Sequence, residues 1–251
     1  MQHAERWQPS KYSITSSEIR PSTDQRELLA SSRVIASLVA EFYTRAIPEW
    51  ARGDLADLGC GKAPLLGAYK RYSDSVLLVD WESSEHPNPL LDIALDLNQP
   101  LTAIDSASVD TVLLSDVLEH IREPAGLLLE IARILRPGGH LLMNVPFTYR
   151  LHEQPHDYYR YTSHALEYLT MAAGLEVVEL SVLGGWLEIM ADMWSKLFAA
   201  AGLRPIAAGI SRIALAIYRT AVGRKFAAIS GAVSPLGYGL VARKPPHPDH
   251  E

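Results

Sequence analysis

The sequence predicts an α/β fold built on a mostly parallel sheet, and three observations support this prediction. Short apolar runs, typical of strands buried on both faces, alternate along the chain with helical patterns. Acidic or polar residues end several of these runs, and a pair of glycines separates the first run from the helix after it. Because the carboxyl ends of parallel strands meet at one edge of a sheet, the pattern places a cleft there.

The composition is that of one α/β domain with additions. The chain has 251 residues, 48% of them apolar, and a net charge of −6, which does not favour nucleic acid as the main partner. The single cysteine, Cys60, excludes an internal disulfide and suits a reducing, cytoplasmic location. We expect no membrane-spanning helix, because no uncharged apolar run reaches the required length of about 20 residues.

The chain begins with a polar stretch, residues 1–23, that we expect to form an irregular arm. Asp24 can cap a helix over residues 25–45, whose apolar side chains form one stripe, and Pro48 would stop that helix. This helix either covers a cofactor cleft or only packs on the sheet.

The loop after the first predicted strand favours one class of cofactor. Gly59 and Gly61 let the backbone turn sharply and approach a ligand, and the next helix directs free N–H groups towards it. A dinucleotide loop needs a small residue where Pro64 stands, and the carboxylate of Asp57 would repel a pyrophosphate. S-adenosylmethionine (SAM) carries an ammonium and a sulfonium, so the same carboxylate favours it. We interpret Cys60 as a small buried filler of the loop and not as a nucleophile.

The second predicted strand, residues 76–79, ends at Asp80. Asp80 follows Gly61 by 19 residues, which is the position of an acidic residue that binds ribose hydroxyls in this architecture. Trp81 is expected either to stack on the adenine or to be a partly exposed core aromatic. Further strands are predicted at residues 109–114, 140–146, 175–182 and 237–243, with helices at 124–135, ended by Gly138 and Gly139, and at 164–173.

Taken with Asp96-Leu97, the stretch from Ser115 to His120 and Arg133-Ile-Leu-Arg-Pro-Gly-Gly139, the glycine loop resembles the motifs of class I SAM-dependent methyltransferases of type 11. The resemblance covers about residues 50–182. It implies a Rossmann-like, mostly parallel seven-stranded sheet with an antiparallel last strand, in a domain over 49–251 that follows an N-terminal arm and cap helix over 1–48. The implied SAM-binding residues are Asp57, Gly59, Cys60, Gly61, Asp80, Trp81, Asp96, Leu97, Ser115 and His120.

Methyl transfer to a hydroxyl needs an aligned acceptor and a base with a pKa near neutrality. His156, beside Asp157, is the leading candidate base, and His120 is the second. The block from Pro155 to Thr162 resembles one in bacterial methyltransferases of polysaccharide and natural-product pathways. Candidate substrate-binding residues are His152, Tyr158, Arg160 and Tyr161. The alternative is that these residues brace the loop and that Thr162 caps the following helix.

We predict no metal site. His152, His156 and Asp157 cluster in sequence, but Pro155 disfavours the helix that a His-x-x-x-His ligand pair needs. The two histidines of the C-terminal tail, His247 and His250, give no metal site either.

An insert over residues 184–235 separates the last two strands, with helices predicted near 186–201 and 206–228. Between Gly185 and Gly231 it has six bases and two acids, a net charge of +4 in a chain of −6. We favour a lid or a homodimer interface with a buried apolar face. The alternative is a basic amphipathic surface for an anionic membrane or a lipid-linked acceptor.

The expected reaction is SAM-dependent O-methylation of a hydroxyl on a sugar or natural product, giving S-adenosylhomocysteine. N- or C-methylation of a small or lipid-linked acceptor is the first alternative. A SAM-binding scaffold without catalysis, acting through the insert, is the second. An NAD-dependent reductase is disfavoured by Pro64 and by the absence of a Tyr-x-x-x-Lys pair.

Overall fold

A seven-stranded sheet organises the computed structural model, which describes residues 7–15, 18–82 and 88–246. Its spatial order is β5-β4-β3-β6-β7-β9-β8. The strands of this sheet are β3 (Gly53–Leu58), β4 (Ser73–Asp80), β5 (Ile93–Ala94), β6 (Val109–Ser115), β7 (Leu135–Pro146), β8 (Glu176–Leu183) and β9 (Gly237–Arg243). A short antiparallel pair in the N-terminal arm is formed by β1 (Tyr12–Ile14) and β2 (Ile19–Pro21).

The sheet confirms the predicted fold class. Strands β3 to β7 pair in parallel, and β9 lies antiparallel between β7 and β8. The strand β3 pairs with β4 on one side and with β6 on the other, so the chain order reverses there. In an open α/β sheet a ligand crevice lies at the carboxyl ends of the strands beside such a reversal.

Helices cover both faces of the sheet. Their bounds are α1 (Arg33–Trp50), α2 (Leu66–Tyr69), α3 (Pro124–Ile134), α4 (Ser163–Ala172), α5 (Trp186–Ala200), α6 (Arg204–Tyr218) and α7 (Ala221–Gly231). Buried side chains of α1 and α2 belong to one core cluster, and those of α3 and α4 belong to the cluster on the other face. On α3 the buried residues recur at helical spacing, which explains why this segment forms an amphipathic helix.

The first helix differs from its predicted bounds. Asp24 caps only a turn, through the N–H of Arg26 to Oδ1 at 2.9 Å, and α1 begins at Arg33 after a 3₁₀ turn. The helix also continues through Pro48 to Trp50, because a proline near the end of a helix removes one hydrogen bond without preventing a last turn.

Two other helices also differ from their predicted bounds. The helix α3 ends at Ile134, because Leu135 is already extended and begins β7, so Gly138 and Gly139 lie within the strand and do not cap the helix. The predicted helix over 206–228 is two helices, α6 and α7, bent by 97°. Thr220 is extended at this break, and its hydroxyl accepts the N–H of Gly223 to begin α7.

The other two helices of this half agree with prediction. Thr162 caps α4 by accepting the N–H of Ala165, as expected, and α5 lies close to its predicted bounds. No single helix among the described residues is long and apolar enough to cross a membrane, although the bent pair of α6 and α7 together meets that measure by length and composition. The tail histidines His247 and His250 and the first six residues of the predicted arm lie outside the described residues.

Candidate functional site

The glycine loop follows β3 at the point where the chain order of the sheet reverses. The N–H groups of Gly59 and Cys60 both donate to the carbonyl of Val79, at 2.8 and 3.1 Å. Gly59 has a φ of +69°, and a Cβ there would lie 2.6 Å from the side chain of Val117. Both the backbone conformation and the close neighbour therefore require glycine at this position.

Asp57 lies inside β3 and is 3% exposed. One carboxylate oxygen accepts the Tyr69 hydroxyl at 2.7 Å, and no lysine, arginine or histidine of the described residues pairs with it. Burial raises the pKa of Asp57 to about 7; the Tyr69 hydroxyl opposes this shift, and the nearby Asp80 carboxylate adds to it. A cationic ligand is the partner this buried anion lacks, so the residue fits the ammonium and sulfonium of SAM.

The carboxylate of Asp80 closes the glycine loop onto the end of β4. Its oxygens accept the N–H groups of Gly61 and Trp81, both at 2.8 Å. Asp96 orders its own turn in the same way, by accepting the N–H of Asn98 at 2.9 Å. These acidic residues therefore stand at the predicted edge, and each already orders the backbone next to it.

Three other residues of the predicted cofactor-binding set are buried or hydrogen-bonded within the protein. Leu97 and Cys60 are buried, and burial raises the pKa of the Cys60 thiol well above its usual range, which agrees with a filler and not a nucleophile. Ser115 ends β6 and donates to the side chain of Asn144 at 2.8 Å.

The N-terminal arm, and not α1, lies over the glycine loop. The indole of Trp7 donates to the carbonyl of Ala63 at 2.9 Å, and Lys11 Nζ lies 2.9 Å from Oδ2 of Asp116 at the end of β6. The helix α1 packs on the sheet, and its Tyr43 hydroxyl reaches Asn144 at 2.9 Å. Of the two alternatives for this helix, the structure supports packing on the sheet.

Asp157 does not pair with the imidazole of His156, and this corrects the prediction for the leading base. Its carboxylate accepts two hydrogen bonds from the guanidinium of Arg160, at 2.6 and 2.7 Å, and the backbone N–H of His152 at 2.9 Å. Although burial alone would raise it, these donors lower the pKa of Asp157 to about 2. His156 lies in the turn that begins at Glu153, and its imidazole contacts Tyr158 and Trp81 instead.

Two of the predicted substrate-binding residues, Tyr161 and Arg160, form hydrogen bonds that stabilise the loop. Tyr161 is buried and its hydroxyl donates to the carbonyl of Leu118 at 3.0 Å. Arg160 binds Asp157 and the carbonyl of Arg150. For these two residues the structure favours the bracing alternative.

His156 and Tyr158 are exposed beside the cofactor positions. The Nδ1 atom of His156 lies 3.0 Å from the Tyr158 hydroxyl, and its ring meets the edge of the Trp81 ring with centroids 5.3 Å apart. The predicted base therefore touches the residue that follows Asp80. This contact joins the predicted acceptor side to the predicted cofactor side.

Sequence reasoning missed Glu119, the residue with the most unusual surroundings. Its side chain is fully buried, neither carboxylate oxygen has a hydrogen-bond partner among the described residues, and burial raises its pKa. Glu119 Oε1 lies 3.8 Å from Nε2 of His120 and 3.7 Å from Nε2 of His152. An acidic residue directly before His120, in the short turn that follows β6, was the signal that could have indicated it. Asp116, three residues earlier, was also missed.

The comparisons with known proteins agree with this geometry. Residues 56–143 match the family model described as a methyltransferase domain. A SAM-dependent methyltransferase from Archaeoglobus fulgidus superposes with a TM-score of 0.54 at 16% identity, over 85% of this chain and 97% of that one. The [4+2]-cyclase SpnF superposes with a TM-score of 0.52 at 18% identity, over 84% and 83% of the two chains.

In sequence, an uncharacterised 37.1 kDa protein of transposon Tn4556 from Streptomyces fradiae is 33% identical over 100 residues. That match covers 36% of this chain and 29% of the relative. Residues 56–143 are thus similar to a methyltransferase domain, and the superpositions show that the chain has the fold of SAM-dependent methyltransferases. This similarity points to SAM as the cofactor.

Proposed function

We propose that this chain is an O-methyltransferase that moves the methyl group of SAM to a hydroxyl of a sugar or natural product. The observation that supports this best is the contact between Trp81, next to Asp80, and His156 in the polar segment after β7. A base and a cofactor position that touch suit a direct displacement, in which acceptor, methyl and sulfur must align.

The cofactor would lie along the carboxyl edge of β3 and β4. Asp57 would compensate the positive charge of SAM, the glycine loop would approach it closely, and Asp80 would bind the ribose hydroxyls. When bound, SAM supplies an electrophilic methyl group. His156 would accept the proton that the hydroxyl loses, with His120 as the second candidate.

The proposal is tested by measuring S-adenosylhomocysteine release with a panel of hydroxylated sugars and phenolic natural products. We expect His156→Gln to lower kcat about 100-fold, the usual contribution of a general base, with the SAM dissociation constant unchanged. His164→Gln, on the exposed side of α4, is the matched control and should leave both quantities unaltered. Turnover of amines that is indifferent to His156→Gln would instead support N-methylation.

The insert favours an acceptor presented at an anionic lipid surface. Among the described residues, 13 of the 23 exposed large hydrophobic side chains lie within residues 186–233, including Trp186, Trp194 and Phe226, so the rest of the described chain does not cover this face. Both acids of the insert, Glu188 and Asp192, are buried, whereas its arginines are exposed. A basic apolar face repels a second copy of itself and attracts anionic lipid.

One contact links this face to the acceptor segment. Lys196 of α5 places Nζ 3.9 Å from the ring centroid of Tyr149, and that ring lies 5.3 Å from the ring of His152. A lipid-linked acceptor bound along α5 would therefore reach the histidines.

Vesicle flotation tests this second point. The protein should float with vesicles containing phosphatidylglycerol, less so at high salt, and not with neutral phosphatidylcholine. The double variant Arg212→Gln, Arg219→Gln should float less, whereas Arg20→Gln, Arg26→Gln, equal in charge but outside the insert, should not change. A salt-independent dimer without flotation would favour the homodimer interface instead.

The remaining alternatives make different predictions. A scaffold without catalysis would bind SAM and turn over no acceptor in the panel. A cytoplasmic location stays a prediction.

A further inference from the structure

The group formed by Glu119, His120 and His152, here called the histidine–glutamate trio, is a fully buried carboxylate that faces two partly buried imidazoles without a hydrogen bond to either. The three donor atoms that a cation could use lie within 4.8 Å of one another. The carboxylate of Glu119 is fully buried and has no hydrogen-bond partner in the described part of the chain. A buried carboxylate without a partner is costly, so something is expected to bind there.

Each imidazole of the trio is oriented by a contact at its other nitrogen. The Nδ1 atom of His120 lies 2.8 Å from the backbone carbonyl of His156, which can only accept, so this nitrogen bears the hydrogen. The Nδ1 atom of His152 lies 3.3 Å from the carboxylate of Asp157. The hydrogen on Nδ1 of His120 leaves the lone pair of its Nε2 free, and Nε2 of both rings faces Oε1 of Glu119. Histidines that bind metals are held in this way in proteins.

The spacing suits a metal ion. A cation about 2.1 Å from each ligand atom requires ligand atoms roughly 3 to 3.5 Å apart, and the two Nε2–Oε1 distances are 3.8 and 3.7 Å. All three ligand atoms lie within 4.8 Å of one another, so the side chains would have to close by roughly 1 Å to bind an ion at these bond lengths. A second carboxylate, that of Glu153, lies 3.8 Å from Nε2 of His120 on the exposed side.

We propose that the trio binds a divalent first-row transition metal ion such as Mn²⁺, Fe²⁺, Co²⁺ or Zn²⁺. Two imidazoles and one carboxylate favour these ions, since Mg²⁺ and Ca²⁺ prefer oxygen ligands. This proposal departs from the sequence-based expectation of no metal, which considered His152 with His156 and Asp157 and did not consider Glu119. Here Asp157 orients a ligand and does not bind the ion.

The metal site would take part in the proposed methyl transfer, and its catalytic role rests on that proposed function. Nε2 of His120 and both oxygens of Glu119 are buried, while the rings of the two histidines are 13% and 18% exposed, so an acceptor hydroxyl would approach the ion from the exposed side of the rings. A bound ion lowers the pKa of such a hydroxyl. The acceptor oxygen then forms a bond to the methyl carbon as the carbon–sulfur bond breaks, and the proton of the hydroxyl passes to His156. His120 would be a ligand and not the second base.

The test uses the full chain without a histidine tag, stripped with a chelator and titrated with Co²⁺. We expect one equivalent to bind, with visible d–d absorption. Glu119→Gln and His152→Gln should each weaken binding at least tenfold, the loss expected from removing one ligand, whereas His164→Gln should bind as the wild type does. Because Glu119→Gln could fail to fold, circular dichroism is recorded for each variant, and the partly exposed His152 supplies a second, independent variant.

No Co²⁺ binding at millimolar concentration, or equal binding by wild type and both variants, would overturn the inference. Titration of SAM into the same preparation separates this inference from the proposed function. SAM binding without Co²⁺ binding refutes the metal site alone, and Co²⁺ binding without SAM binding refutes the proposed function alone.

Discussion

The acidic side chains on the two sides of the cleft differ in their hydrogen bonding. On the cofactor side, Asp80 and Asp96 each accept hydrogen bonds from the backbone beside them, and Asp57 accepts the Tyr69 hydroxyl. On the proposed acceptor side, Glu119 is fully buried with no hydrogen-bond partner in the described part of the chain. The proposed cofactor side is thus largely ordered by the chain itself, whereas the proposed acceptor side has a buried carboxylate that the proposed metal ion would compensate.

The largest expected effect concerns the cofactor side. Asp80→Asn should weaken S-adenosylhomocysteine binding about 100-fold, because it removes charge-assisted hydrogen bonds both to the ribose and within the loop, worth together roughly 3 kcal/mol. Isothermal titration calorimetry measures the change. Asp74→Asn, an exposed carboxylate of the same strand, is the control. Unchanged affinity in Asp80→Asn would place the ribose elsewhere.

On the acceptor side, the stability of the protein should depend on the charge of Asp157, whose carboxylate holds the segment that carries His152. Asp157 accepts Arg160 twice and the His152 N–H, so Asp157→Asn should lower stability by about 2 kcal/mol. Urea unfolding followed by circular dichroism measures this. A loss below about 0.5 kcal/mol, typical of surface sites, would show that the brace is dispensable.

The pH dependence of cofactor binding should separate Asp57 from the other acids. The pKa of Asp57 is raised to about 7 in the free protein, and a bound cation would lower it, so binding releases a proton. SAM affinity should therefore rise about tenfold from pH 5.5 to 7.0. The same titrations on Asp57→Asn should give a flat profile, and a profile that falls with pH would contradict the assignment.

The smallest effect tests the unsatisfied carboxylate directly. Glu119→Met keeps a similar volume and removes a buried acceptor without a partner, so it should raise the stability of the metal-free protein by about 1 kcal/mol. Thermal unfolding at neutral pH is sufficient to detect this. If Glu119→Met were clearly less stable than the wild type, the carboxylate would have a stabilising partner.

The difference between the halves also explains what the sequence could predict. The glycine loop, Asp57 and Asp80 follow from local spacing, because a strand, a turn and a helix fix them within a few residues. The trio joins Glu119 and His120, in the short turn after β6, to His152 beyond β7, and the pairing of β6 with β7 brings them together. His156 with Asp157 was predicted from adjacency in sequence, but the turn that begins at Glu153 directs the His156 ring to Tyr158 and leaves Asp157 to Arg160.

The insert shows the same limit. Its helices and its positive charge could be predicted from periodicity and counting. The break at Thr220 had a local signal, because Thr220 caps α7 and Gly223 packs against the carbonyl of Ile217 six residues earlier, where a Cβ would lie only 2.0 Å away. The exposure of the apolar face depends on how the helices pack and left no such signal.

The central claim is that the buried carboxylate of Asp57 receives the positive charge of SAM. Calorimetric titration of SAM and NADH into the wild type and Asp57→Asn at pH 7 tests it most directly. The account predicts one SAM site in the wild type, no NADH binding, and at least a tenfold loss of SAM affinity in the variant. NADH binding in place of SAM, or equal SAM affinity in both proteins, would contradict it.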